Sequence, residues 1–317
     1  MTSILLVKTS SLGDVVHNLP VVSDLVRHFP GAAIDWAVEE SYAAIPRLHP
    51  AVRSVMSVNL RRWRRRWWRR EVRDELRAAM SELRAQRYDA VIDTQGLLKS
   101  ALLAHAARGP RYGLDWSSAR EPLGWLYDRT LHVSWRLHAV ERNRELAAQA
   151  LGYERNSHVD YGIAAGRTGA RSETRYAVLL HSTSARAKLW GEGDWIAVAE
   201  WLAARGIRAV LPWGNAAEHA RSERLAARMT QASVPQRLSL EAAAQCLSAA
   251  CLVVGLDTGL THLAGAFGVP TVALYIATEP SATGLYACAR GRNLGGRARA
   301  PSVAEATRAA DELLSGS

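Results

Sequence analysis

Residues 252–275 read Leu252-Val253-Val254-Gly255-Leu256-Asp257-Thr258-Gly259-Leu260-Thr261-His262-Leu263, run on through Gly268, and close with Val269-Pro270-Thr271-Val272-Ala273-Leu274-Tyr275. Leu252 to Val254 form the continuous apolar run that a strand buried on both faces needs, Asp257-Thr258-Gly259 is a capping turn, and a short helix and second strand follow. Strand, polar turn, helix, strand is the repeating unit of a parallel α/β sheet. The helix start carries partial positive charge, Gly259 lets a ligand approach the backbone, and the Thr258 and Thr261 hydroxyls can donate to an anion. The stretch is therefore a candidate diphosphate seat. It also fits a plain helix cap at Asp257 with a half-buried His262, and only the rest of the chain separates the two readings.

Working back towards the middle, the same alternation recurs. A strand is expected over 177–180, then the polar loop His181-Ser182-Thr183-Ser184-Ala185-Arg186-Ala187-Lys188, a helix over 194–205, a strand over 208–212 and a helix over 216–229. Thr183, Ser184 and Lys188 could hold phosphate oxygens or be ordinary loop residues. Glu218 stands near a helix start after a strand, where an acid suits both the helix dipole and a ribose hydroxyl. A helix over 241–249 leads into the central stretch, and Ser302-Val303-Ala304-Glu305 is a capping box opening a terminal helix expected to pack across both halves of the chain.

The amino-terminal half starts likewise. A strand over 4–7 is followed by Lys8-Thr9-Ser10-Ser11-Leu12-Gly13-Asp14 and an amphipathic helix over 14–28; this turn is neither a dinucleotide fingerprint nor a Walker loop. Strands over 33–38, 53–58 and 88–93, and helices over 99–107 and 138–151, continue the pattern. In such sheets ligands gather at the carboxyl ends of strands, so Asp14 reads either as an acid favoured by a helix start or as a general base. The polar, glycine-bearing stretch 154–174 is the expected linker, giving domains of 1–160 and 161–317 that face one another across a cleft.

One segment breaks the pattern. Arg61 to Arg70 interleaves seven arginines with three tryptophans, and Leu60, Trp63 and Trp67 would form one aromatic stripe on a cationic helix. With a formal charge of +10, this favours an anionic partner: a membrane surface, an acidic glycolipid or nucleic acid. A solvated helix whose tryptophans pack on their own sheet is the plain alternative. Residues 1–7 are too short for a signal segment and no apolar run approaches a membrane span, so a cytoplasmic location is expected. Cys246, Cys251 and Cys288 fit no metal spacing, no D-x-D occurs, and neither metal nor cofactor is expected.

Three motifs in order, Lys8 to His17, His181 to Lys188 with Trp190, and Asp257 to Leu263, closely resemble the lipopolysaccharide heptosyltransferases of glycosyltransferase family 9, with an opening of the type I kind. The resemblance implies a GT-B fold and an inverting transfer of L-glycero-D-manno-heptose from ADP-heptose to the 5-hydroxyl of the first Kdo of Kdo-lipid A. It makes Asp14 the base. It assigns Thr183, Ser184, Lys188, Thr258 and Gly259 to the diphosphate, Glu218 to the ribose, Leu238 to the adenine, and Asp257 and His262 to the donor sugar. Lys8, Arg61, Arg62, Arg64, Lys99, Arg120 and His138 are acceptor candidates by charge and placement, and a peripheral position on the cytoplasmic face of the inner membrane follows. Where the family continues Gly-Pro-Thr-Asp-Pro after Leu274-Tyr275, this chain has Ile276-Ala277-Thr278-Glu279-Pro280, which is expected to alter the loop beside the donor. The competing readings are another GT-B sugar-nucleotide enzyme, such as a different heptosyltransferase or an epimerase, and a nucleic-acid-binding protein using Arg61 to Arg70. The three ordered motifs favour the heptosyltransferase, with no nucleic-acid partner.

Overall fold

The computed structural model describes residues 2–163, 175–183, 186–297 and 299–316. The chain divides into two compact units, Met1–Ile163 and Ala164–Ser317. Each is a sheet of six parallel strands flanked by helices.

In the first unit the strands are β1 (Ser3–Val7), β2 (Ala33–Glu39), β3 (Val52–Val58), β4 (Ala90–Asp93), β5 (Arg111–Leu114) and β6 (Arg129–Leu131). Their order is β3-β2-β1-β4-β5-β6. The helices are α1 (Leu12–Val16), α2 (Leu19–His28), α3 (Ala44–Arg47), α4 (Leu60–Arg66), α5 (Arg70–Arg84), α6 (Leu98–Ala106) and α7 (Ala139–Leu151). Ile4 to Val7 are fully buried, as a central parallel strand covered on both faces requires.

The second unit holds β7 (Tyr176–Leu180), β8 (Arg208–Val210), β9 (Ala232–Ser233), β10 (Leu252–Leu256), β11 (Thr271–Tyr275) and β12 (Gly291–Gly295), with helices α8 (Glu192–Ala203), α9 (Ala216–Ala226), α10 (Leu240–Ser248), α11 (Gly259–Ala266), α12 (Pro280–Thr283) and α13 (Val303–Ser315). Its order, β12-β11-β10-β7-β8-β9, is that of the first sheet read from the other edge. In both units the chain winds outward from the first strand, then returns and winds the other way. The point of reversal lies between β1 and β4 in one sheet and between β7 and β10 in the other. Loops diverge there and leave a crevice at the strands' carboxyl ends.

Several local features depart from the sequence reading. The helix expected over 14–28 is two helices, because Pro20 sits in the first turn of α2 and a proline ring cannot continue a preceding helix. Helix α4 stops at Arg66, so no aromatic stripe runs from Trp63 to Trp67: Trp63 is buried in the first core, whereas Trp67 is 66% exposed. Helix α5 and strands β5, β6 and β12 carry too few apolar residues for the pattern to mark them. The terminal helix α13 opens on the Ser302–Glu305 capping box and lies on the second sheet beside α8, where Ala306, Ala310 and Leu313 join a core centred on Trp195. Of the expected linker, 164–174 lies outside the described residues. The stretch before it is tied to the first unit by the buried Arg144, whose Nη2 donates to the carbonyls of Asn156 and His158 while Nε donates to Asp24.

Candidate active site

The second unit builds its site at the β7/β10 reversal. Gly255 is needed just before it, since a Cβ there would collide with the Thr261 hydroxyl. Thr261 Oγ1 donates to the Leu256 carbonyl at 2.6 Å and lies 3.2 Å from Thr258 Oγ1, which fixes the turn from strand to helix. Thr258 is the extended N-cap of α11, and Thr261 and His262 N–H bond back to its carbonyl. The N–H groups of Gly259 and Leu260 at the helix head thus remain available to an anion.

Asp257 stands at the head of this helix with both oxygens engaged. Lys188 Nζ donates to Oδ2 at 2.7 Å, Thr278 Oγ1 donates to the same oxygen at 2.7 Å, and His262 Nε2 lies 3.3 Å from Oδ1. Burial alone would raise the carboxyl's pKa; the bonds from His262, Lys188 and Thr278 outweigh it and hold Asp257 far below the usual carboxylate range. Lys188 ends a single 3-10 turn, Arg186–Lys188, that delivers it from the β7 loop. Thr183, the third residue of that loop, is half-buried. Ser184 lies outside the described residues. The substituted segment after β11 contributes Thr278 to this group, so the Ile276-Ala277 replacement leaves the Thr278 contact with Asp257 in place.

A second element of this unit is an open cavity of about 500 Å³ lined by Trp213, Gly214, Asn215, Ala216, His219 and Arg237. Glu218 braces one wall: its carboxylate accepts from Gly214 N–H and from Asn215 Nδ2, both at 2.7 Å. Trp213 donates from Nε1 to the Pro235 carbonyl at 2.9 Å, and its ring centroid is 4.3 Å from that of His219. Leu238, next to Arg237, is half-buried just ahead of α10 and does not line the cavity. Buried His181 links this wall to the β7 loop through Ser222 Oγ, 2.9 Å from its Nε2; burial brings its pKa down to about 4, so the ring is neutral.

In the first unit the strand carboxyl ends gather every acceptor candidate onto one edge. Lys8 and Asp14 follow β1, Arg61, Arg62 and Arg64 follow β3, Lys99 follows β4, Arg120 follows β5, and His138 follows β6. The β1 and β4 turns are interlocked at the reversal. Gln95 Oε1 accepts from Thr9 and Ser10 N–H, both at 3.1 Å, Lys8 Nζ donates to the Thr94 carbonyl at 2.7 Å, and Lys99 Nζ donates to Ser10 Oγ. Asp14 is the third residue of α1. Its Oδ2 accepts from Ser11 N–H at 2.7 Å and Ser11 Oγ at 2.9 Å, while Oδ1 takes no bond among the described residues. Buried Lys8 also donates to Asn143 Oδ1 at 3.2 Å. Burial depresses its pKa, Asp14 and Asp93 oppose that shift, and Arg142 and Arg120 add to it.

His138 is buried and caps α7, its Nδ1 accepting from Val140 N–H, and its ring meets His17 edge-on at 5.4 Å. Arg61 and Arg64 are exposed, whereas Arg62 is shared with Glu75 at 3.4 Å. Sequence reasoning missed Gln95, Thr278, Asn143 and Arg142. The last two lie on the helix that His138 caps, Arg142 at i+4, and that spacing was the available signal.

This is the two-site plan of a sugar-nucleotide glycosyltransferase of GT-B type. A model of glycosyltransferase family 9 (heptosyltransferase) matches residues 76–311. The chain belongs to that family and is a heptosyltransferase. It is 47% identical to lipopolysaccharide heptosyltransferase 1 of Pseudomonas aeruginosa across 89% of this chain and 81% of that protein. It is 44% identical to the Escherichia coli K12 protein of the same name across 89% and 90%. Among solved structures, E. coli heptosyltransferase WaaC with ADP matches with a TM-score of 0.90 at 39% identity, covering 99% of both chains.

Proposed function

We propose that the chain moves L-glycero-D-manno-heptose from ADP-heptose to the 5-hydroxyl of the first Kdo of Kdo-lipid A, with inversion, in lipopolysaccharide inner-core synthesis. The observation that carries this reading is the contrast between the two aspartates: Asp257 saturated by Lys188, Thr278 and His262, and Asp14 with an oxygen to spare. The first unit takes the acceptor and the second the donor. Asp14 accepts the hydroxyl proton while the acceptor oxygen bonds to the anomeric carbon and the bond to ADP breaks, its electron pair leaving on the diphosphate. Lys188 and the Gly259 and Leu260 N–H groups neutralise that charge, with Thr183, Ser184 and Thr258 as further donors. The Trp213 to Arg237 cavity takes the nucleoside, with Glu218 on the ribose, and Asp257 and His262 orient the heptose.

The acceptor is a lipid, and the edge that would meet it suits a bilayer surface. Trp67, Trp68, Leu98, Trp116 and Trp135 all follow strand carboxyl ends and stand exposed, Trp67 and Trp68 next in the chain to exposed Arg64, Arg65 and Arg66. Lys8, Arg62, Lys99, Arg120 and His138 complete the acceptor surface. No described helix is long and apolar enough to cross a membrane. In this reading the exposed aromatic and arginine side chains hold the enzyme peripherally on the cytoplasmic face of the inner membrane. Incubation with ADP-heptose and Kdo-lipid A, followed by mass and NMR analysis of the product, tests this. One added heptose at the 5-hydroxyl with inverted anomeric configuration is expected; attachment elsewhere, or none, refutes it.

A further inference from the structure

Arg142 lies on α7, one turn beyond His138, and its guanidinium is seated on two sides. Its Nη2 donates to the Ser118 carbonyl at 2.7 Å, and its central carbon lies 3.5 Å from the centroid of the Trp135 ring. The seat is itself braced. Trp135 Nε1 donates to the Ser117 carbonyl at 2.9 Å, Val133 N–H donates to buried Ser118 Oγ at 2.8 Å, and Ser118 N–H donates to Asp115 Oδ1 at 2.8 Å.

The third side is unfinished. Nη1 is buried and has no hydrogen-bond partner among the described residues. No carboxylate pairs with Arg142 among the described residues; the charge that acts on it is Arg120, and both arginines act in turn on Lys8. Burial first, then Arg120, pulls its pKa down to about 10. A half-buried cation beside two others, with one arm unbonded, is costly unless an anion completes it. The next residue, Asn143, accepts from Lys8 and donates to the His17 carbonyl, so this helix is fastened to the turn that carries Asp14.

We infer that Arg142 is an acceptor-binding residue that sets specificity for an acid sugar: its Nη1 edge, with Arg120, receives the carboxylate of the ring that bears the attacking hydroxyl. This rests on the acceptor proposed above. The planar fork of arginine matches a carboxylate, and lysine in its place keeps charge but loses that geometry. The carboxylate is preferred to the lipid phosphates because it belongs to the same ring as the hydroxyl that Asp14 serves, whereas the phosphates belong to the lipid A sugars beyond it.

The test compares wild type and Arg142→Lys on three acceptors: Kdo-lipid A, its Kdo carboxamide analogue, and a form lacking the lipid phosphates. On the carboxamide, wild type should lose about 10- to 100-fold in kcat/KM, the scale of a charge-assisted bond. R142K should lose as much on Kdo-lipid A and on the dephosphorylated acceptor, yet match wild type on the carboxamide within about twofold, the margin expected when the shared interaction is already gone. Donor KM should not move. Equal losses on all acceptors would mark Arg142 as merely structural, and a loss that vanishes without the lipid phosphates would make phosphate the anion; either overturns the inference. If R142K does not fold, the wild-type arm decides alone, since indifference to the carboxamide refutes it. Wild type inactive on every acceptor but active on another sugar would instead refute the acceptor assignment beneath it.

Discussion

Asp14 and Asp257 stand at the carboxyl ends of central strands in two sheets of the same strand order, and their surroundings differ in kind. Asp257 meets a lysine, a hydroxyl and a histidine and is held far below the usual carboxylate range. Asp14 meets only the N–H and hydroxyl of Ser11, and one oxygen is unbonded among the described residues. The lysines are reversed: Lys188 is paired to its aspartate, whereas Lys8 is buried against a carbonyl and an amide. A carboxylate so heavily stabilised is an anchor and a poor proton acceptor. One with a spare oxygen can take a proton. Role follows from partners, since residue type is the same.

The largest break in this comparison should come from Asp14→Asn. With the proton acceptor gone and the Ser11 contacts largely kept, transfer should fall by about 10²- to 10⁴-fold while ADP binds as in wild type, measured by calorimetry beside turnover. Lys188→Ala comes next. It removes charge at the diphosphate and frees Asp257, and kcat/KM for the donor should fall by about 10- to 100-fold with acceptor KM unchanged. On the other side, Arg61→Ala and Arg64→Ala should each raise acceptor KM by about fivefold at low salt, the value of one basic residue at an anionic surface, and less as salt is added. Arg62→Ala should do less than either, because Glu75 already shares its charge. Smallest is Thr278→Val: losing one of three contacts to Asp257 should weaken donor affinity by about fivefold, a single hydrogen bond's share, and leave the acceptor untouched.

Much of this was legible in the sequence, for identifiable reasons. The apolar runs at 4–7 and 252–254 and the polar turns after them gave both central strands and the placement of Asp14 and Asp257, because burial on both faces leaves few residue choices. The outer strands β5, β6 and β12 were not legible: β5 and β6 are short, and Arg111, Arg129, Arg292 and Asn293 interrupt any apolar pattern. Trp63 and Trp67 share a sequence spacing yet part company, since that spacing carries no account of where α4 ends. Contacts between distant segments, such as Gln95 with Thr9 or Thr278 with Asp257, arise only once the sheet order brings two turns together. A local reading has no access to that.

The central claim is that a lysine and a helix head neutralise the departing diphosphate while a separate aspartate activates the acceptor. The most direct measurement is ADP release from ADP-heptose by the wild-type protein, with and without Kdo-lipid A, repeated in excess EDTA. Release that requires Kdo-lipid A and is unchanged by EDTA is the expected result. Release that ignores the acceptor, or that EDTA abolishes and a divalent cation restores, would contradict the account.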